Sequence, residues 1–243
     1  MESKTIVISQ PMFFAWVGML EQIKLCDEYV FYNDVQFSKG SFVNRVQLKL
    51  PEGSRWMTVP IQKFSLGQRI IELQPHNGIE WQSQHLDQLS RSFAKSPFRD
   101  DALGLVEKVY DKQYSNIGDL SRASTIALAD YFGLVAGRRF IDVSELAISG
   151  SGTDRVLAVV KQLGGKIYVT GHGATQYLNH EKFDDEQISV KYMNYQHAPY
   201  PQQNGPFNPF VSGLDLVANC GREGINVLVS KAIPWRKFLD ESK

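Results

Sequence analysis

Thr5-Ile6-Val7-Ile8-Ser9-Gln10-Pro11, then Gly18-Met19-Leu20-Glu21-Gln22-Ile23-Lys24-Leu25-Cys26, then Tyr29-Val30-Phe31-Tyr32: these three stretches decide the fold class. The first run is β-branched and too short for a helix, and Gln10-Pro11 breaks it, so it reads as a buried strand. From Gly18, the residues Met19, Ile23, Leu25 and Cys26 recur at helical spacing, and after Asp27 the segment Tyr29 to Tyr32 is again strand-like. So short a crossover between two buried strands favours an α/β sheet with ligand-bearing loops at the carboxyl ends of its strands. Gln10-Pro11 and Asp34-Val35-Gln36 are then expected side by side.

Working outward, Val43 to Leu50 and Trp56 to Pro60 flank Pro51-Glu52-Gly53-Ser54, a polar Pro/Gly turn that predicts an antiparallel hairpin excursion. A helical section is expected over about 79–133. Ile79, Leu86, Leu89 and Phe93 share one face, Ser96-Pro97 reads as an N-cap and first-turn pair, and Leu103, Val106 and Tyr110 continue the pattern. Leu120, Ala123, Ala127 and Tyr131 mark a third helix stopped near Gly133. The β/α alternation returns with Arg139 to Val143 as a strand, Val156, Val160 and Leu163 as a helix closed by Gly164-Gly165, and Ile167 to Thr170 as a strand. The tail from Lys191 is rich in Tyr, Pro, Gln and Asn through Phe210. It returns to a helical pattern at Leu214, Leu216 and Val217 and again at Ile225, Leu228 and Val229. With no internal repeat or linker, the expectation is one α/β domain over 1–243, a mainly parallel Rossmann-like sheet with a β-hairpin excursion and a helical insertion.

Composition bounds the function. The 243 residues carry 26 Lys+Arg against 26 Asp+Glu, a balance that gives no field to hold a duplex or an anionic membrane, so neither nucleic acid nor membrane is an expected partner. No apolar run reaches the length of a membrane span, and Met1-Glu2-Ser3-Lys4 lacks the pattern of a secretion signal, which points to the cytoplasm. Cys26 and Cys220 form no CxxC or Cys/His cluster, so neither a disulfide framework nor a structural zinc is supported, and no metal is expected. Neither reads as an activated thiolate: Cys26 falls on an apolar helix face and Cys220 at a helix end.

Several loops carry residues with chemistry. Met12, Phe13, Phe14 and Trp16 after Gln10-Pro11 either wall a ligand pocket or pack beneath the helix start. Asp34, Gln36, Lys39, Asn44 and Arg45 fall within twelve positions, a mixture suited to a sugar or nucleotide or, equally, to a solvated hairpin with surface ion pairs. Gly150-Ser151-Gly152-Thr153 opens a helix at which an anion could sit, though it lacks P-loop and dinucleotide spacing. His172, between two glycines, and His197, between tyrosine- and proline-rich flanks, are the candidates for proton transfer; His76, His85 and His180 lack such a context. His172, His197 and Asp34 form the catalytic candidate set, without metal-ligand spacing.

Three blocks of this chain resemble the WbqC-like family of bacterial proteins. They are Ile8-Ser9-Gln10-Pro11 through Trp56-Met57-Thr58-Val59-Pro60; Gly171, Ala174, Tyr177 and Leu178; and Tyr195, His197, Tyr200, Gln202, Phe207, Pro209, Ser212, Leu214-Asp215-Leu216 and Asn219-Cys220-Gly221. Ala15 and Ala198 stand where that family's pattern has proline. The resemblance implies cytoplasmic small-molecule biosynthesis, among genes for O-antigen and other surface polysaccharides. It suggests transfer of an acyl or aminoacyl group to an amine, for example on a nucleotide-linked amino sugar. A coenzyme A or phosphopantetheine carrier-protein thioester is the natural co-substrate, with no tightly bound cofactor. It also places Tyr177, Tyr200, Gln202, Asp215 and Asn219 beside Gln10, Trp16, Gln36, Lys39, Asn44 and Arg45 as substrate-binding candidates. Two rival readings remain: a nucleotidyl transferase, with Trp16 and Gly18 where a His-x-Gly-His would fall, and a non-catalytic partner of a carrier protein.

Overall fold

The alternating side chains of Thr5–Ser9 (β1) divide the interior. Ile6 and Ile8 point to one face of the sheet and Val7 to the other, and all three are buried, as a strand with helices on both faces requires. A computed structural model describes residues 3–241 of the chain. Helix α1 (Val17–Leu25) carries β1 into β2 (Glu28–Phe31), which pairs with it in parallel register, Val7 opposite Tyr29. A long excursion follows. It holds the hairpin β3 (Arg45–Leu50) and β4 (Gly53–Thr58), then α2 (Trp81–Ser92), α3 (Arg99–Tyr110) and α4 (Ile117–Tyr131). The chain re-enters the sheet at β5 (Arg139–Asp142), crosses by α5 (Gly152–Gln162) to β6 (Ile167–Thr170), and by the short α6 (Glu181–Asp185) to β7 (Ser189–Met193). Helix α7 (Gly213–Cys220), β8 (Ala232–Pro234) and α8 (Trp235–Glu241) complete it.

The six-stranded sheet has the order β5-β2-β1-β6-β7-β8, parallel except for β8. Val7, Tyr29, Phe31, Val169 and Met193 face the core built with α1, α2, α3, α4 and α7. Ile6, Ile8, Val30, Tyr168, Val190 and Tyr192 face a second core with α5, α6 and α8. The hairpin forms its own two-stranded sheet, and its Val46, Leu48 and Met57 join the first core. The fold is thus the expected Rossmann-like α/β sheet with a hairpin excursion and helices between β4 and β5. Among the described residues no helix is long and apolar enough to cross a membrane; the Met1-Glu2 start of the leader reading lies outside them.

Four local expectations are corrected. The hairpin turn is Pro51-Glu52 alone, because Leu50 pairs directly with Gly53 and the second strand starts before Trp56. Ser96 does not cap α3: Phe98 precedes that helix, and the Ser96 hydroxyl donates to Asn219 Oδ1 at 3.0 Å. The pattern at Ile225, Leu228 and Val229 forms only a 3-10 turn over Gly221–Asn226, which leaves Leu228 and Val229 in loop. Finally, Lys191 lies inside β7 rather than opening a loop-rich tail.

Candidate functional site

Strands β1 and β6 are neighbours, yet the chain leaves β1 toward β2 and β5 and leaves β6 toward β7 and β8, so the loops beyond Ser9 and Thr170 diverge. Such a reversal of strand order opens a crevice at the carboxyl ends. A cleft of about 510 Å³ lies there, walled by Gln10, Trp16, Gln22, Tyr32, Tyr177 and Tyr195. Thr170 and Gly171 line it from the end of β6, and Gly152, the first residue of α5, from the opposite loop. The leading N–H groups of a helix have no intrahelical partner, so the α5 start offers donors to a ligand. Gln22 Nε2 donates to the Tyr195 hydroxyl at 2.6 Å, and burial pushes that phenol up to about 12, keeping it protonated and able to donate at neutral pH.

Trp16 shapes one wall. It precedes α1 in an extended conformation, without a side-chain acceptor, and its ring lies over Gly18, where a Cβ would come within 2.2 Å of Trp16 Cη2. The His197 ring stacks on Trp16 at 6.1 Å and 29°, and the Phe210 ring meets His197 at 5.3 Å. His197 has a left-handed backbone, φ 47°, uncommon for a non-glycine residue. On the other side of Tyr195 sits His172, with ring centres 5.2 Å apart. His172 Nε2 lies 2.7 Å from the Met193 carbonyl, an acceptor, so this nitrogen carries the proton and Nδ1 is the basic nitrogen of the neutral ring. Both candidate imidazoles therefore flank one tyrosine that lines the cleft, while neither forms its floor.

The other sequence-selected residues disperse. Arg155 grips the Asp34 carboxylate with two bonds of 2.9 and 2.5 Å, joining the loop after β2 to α5. Gln36 is exposed and bridges to Arg69. Lys39, Asn44 and Arg45 line a separate groove of about 380 Å³ with Phe37 and Phe64. There Asn44 donates to the Val59 carbonyl at 2.9 Å, and the Arg45 guanidinium stacks on Trp56 and donates to the Gly40 carbonyl. Tyr200, Gln202, Asp215 and Asn219 do meet, around buried Lys49, whose ammonium donates to Gln202 Oε1 and to the carbonyls of Gly205 and Pro206 at 3.1, 3.0 and 2.8 Å. Burial pushes the Asp215 carboxyl up to about 6 despite the opposing effect of a hydrogen bond with Tyr200 and the charge of Lys49. This network anchors the 202–208 loop behind His197.

Four residues with functional geometry were not singled out by sequence: Glu21, Gln22, Lys49 and Arg155. Each is a polar group on an inward face, Glu21-Gln22 inside the run Met19-Leu20 to Ile23, Lys49 between Leu48 and Leu50, Arg155 beside Val156. A polar or charged residue interrupting an apolar face is the signal that could have found them. A second cleft, of about 620 Å³, lies between residues 74–82 and 110–115, away from these groups. Among the described residues no three His, Cys, Asp or Glu side chains gather as metal ligands.

No solved structure matches the chain. A protein of Mycobacterium tuberculosis, described only as uncharacterised, is 30% identical over 228 residues, covering 93% of this chain and 97% of its own length. The model of the WbqC-like protein family matches residues 10–227, a span that begins at Gln10 on the cleft wall and runs beyond α7; the chain belongs to that family.

Proposed function

We propose that this protein is a biosynthetic transferase that moves an acyl or aminoacyl group from a thioester to an amine, such as that of a nucleotide-linked amino sugar, in cytoplasmic assembly of surface polysaccharide. The observation that carries the reading is the cleft at the strand-order reversal, whose aromatic walls and few polar groups suit an organic substrate. The amine nitrogen attacks the thioester carbon, its proton passes to a base, and collapse of the tetrahedral adduct breaks the C–S bond; the thiolate leaves and takes up that proton. His197 and His172 are the candidate bases, and their shared neighbour Tyr195 links both to the cleft. Gln10 and the protonated Tyr195 hydroxyl are the candidate donors to the oxyanion. Asn44, in the other groove, is not a candidate for that role; Lys39 and Arg45 there suit a phosphate of the nucleotide or of a phosphopantetheine arm.

The nucleotidyl-transferase reading loses support at α1, where Trp16 and Gly18 stand in place of a His-x-Gly-His and the Trp16 ring covers Gly18. The test is incubation with nucleotide-linked amino sugars and acyl or aminoacyl thioesters, on coenzyme A and on a carrier protein, read by the mass of the acceptor. A time-dependent mass gain that falls by about two to four orders of magnitude in H197A or H172A is the expected result. Pyrophosphate release from a nucleoside triphosphate would favour the nucleotidyl transferase. Stable co-elution with a carrier without turnover would favour a binding protein.

A further inference from the structure

One buried acid has no role in the reaction just described. Glu21 is only 2% exposed, and its Oε2 is shielded from solvent without a hydrogen-bond partner in the protein. An ionisable group left so in the interior is costly, and fold stability alone gives no reason to keep it. It sits one helical turn beyond Gly18, on the face of α1 that the Trp16 ring covers, and with Trp16, Tyr195, His197 and Tyr200 it lines a small cavity of about 10 Å³. That is room for about one water molecule, in a lining that is mainly apolar but includes Glu21, Tyr195 and His197. Trp16 and Tyr195 line this cavity on one side and the large cleft on the other.

We propose that Glu21 is a positioning residue for His197: across the small cavity its carboxylate orients the imidazole, with Tyr195 as the wall shared with the substrate cleft. The proposal rests on the transferase reading for its purpose but not for its test. Burial pushes Glu21 up to about 7, against the opposing charge of Lys24, so the carboxyl changes charge near neutral pH, where a proton-transfer partner is useful. The ionisable groups around it are Lys24 on its own helix, and Tyr195, His197 and Tyr200 from the segment after β7; Asp215 of α7 stands behind Tyr200. Lys24 is held by the Leu228 carbonyl at 2.8 Å, so His197 is the imidazole that shares the cavity with Glu21.

The test needs no substrate. The side-chain carboxyl of Glu21 is titrated by carbon NMR in the wild-type protein and in H197N, since asparagine tolerates the left-handed backbone at 197 and lacks the imidazole ring. The Glu21 midpoint is expected to rise by about half a unit or more in H197N, because a polar neighbour that favours the carboxylate is lost from the cavity. In E21Q, the nitrogen shifts of the His197 ring are expected to move toward an even mixture of tautomers, while those of His172, held by Met193, stay put. A Glu21 midpoint that is the same in both proteins overturns the proposal, whatever the acceptor assay shows. Coupling without any acyl transfer would leave the Glu21–His197 pair standing and remove only the transferase reading.

Discussion

Glu21, Asp215 and His85 make the stability of this protein depend on pH in opposing directions. Burial raises Glu21 from 4.5 to about 7 and Asp215 from 3.8 to about 6, so the folded chain binds protons there that the unfolded chain has already released. Stability from these two groups is greatest in acid and declines as pH rises through the interval between unfolded and folded values. His85 works the other way. It is wedged between the Tyr110 hydroxyl and the Thr58 carbonyl at 2.8 and 3.0 Å, and burial lowers it from 6.5 to about 4, so its neutral form contributes fully above 6.5 and less as pH falls toward 4. E21Q, neutral at every pH, is therefore expected to exceed the wild type in stability by about 1–3 kcal/mol at pH 8 and to match it near pH 4.5. Urea unfolding at the two pH values measures this; equal stabilities at pH 8 would contradict the burial argument.

At the scale of elements, the start of α1 is held open by one missing methyl group. Because the Trp16 ring occupies the space of a Gly18 side chain, G18A must displace the ring, although alanine favours a helix by about 1 kcal/mol over glycine. G18A is thus expected to cost about 1–2 kcal/mol in the wild-type background and to stabilise W16A. A double-mutant cycle by denaturant unfolding reads the change of sign. The Asp34–Arg155 pair is the matching joint between β2 and α5. Removing either partner strands a largely desolvated charge, so D34A and R155A are each expected to cost about 3 kcal/mol, and the double variant less than their sum. These joints also explain what the sequence could reveal. β1 and β6 were legible to the residue because Thr5–Ser9 and Ile167–Thr170 are β-branched runs ending in Gln-Pro and Gly. β7 was not, since Ser189 and Lys191 alternate with buried Val190 and Tyr192 and merge into polar loop composition, and β8 is only three residues long. Gln10, Trp16 and Tyr177, binding candidates by sequence, line one cleft, but Lys39, Asn44 and Arg45 turn into another groove, because proximity in sequence ends where the hairpin leaves the sheet.

At the scale of the whole molecule, the connection between β2 and β5 is the longest in the sheet, and its most open point is the 63–68 loop, where Leu66 is 97% exposed. Limited digestion with a protease specific for large apolar residues is expected to cut first beside Phe64 or Leu66. The two fragments should still elute together, since β1 and β2 from the first pair with β6 and β5 from the second. Separation of the fragments in native buffer would mean that sheet pairing is weaker than its burial implies. The same strand order has a consequence for synthesis. β1 can gain β2 as a neighbour almost at once, but its other edge waits for β6, roughly 160 residues later, or about 8–30 s at ordinary ribosomal rates. For that interval the nascent chain carries Ile6-Val7-Ile8 with an unpaired edge, the kind of segment that pairs with strangers, so high-level expression should benefit from slow translation or chaperones.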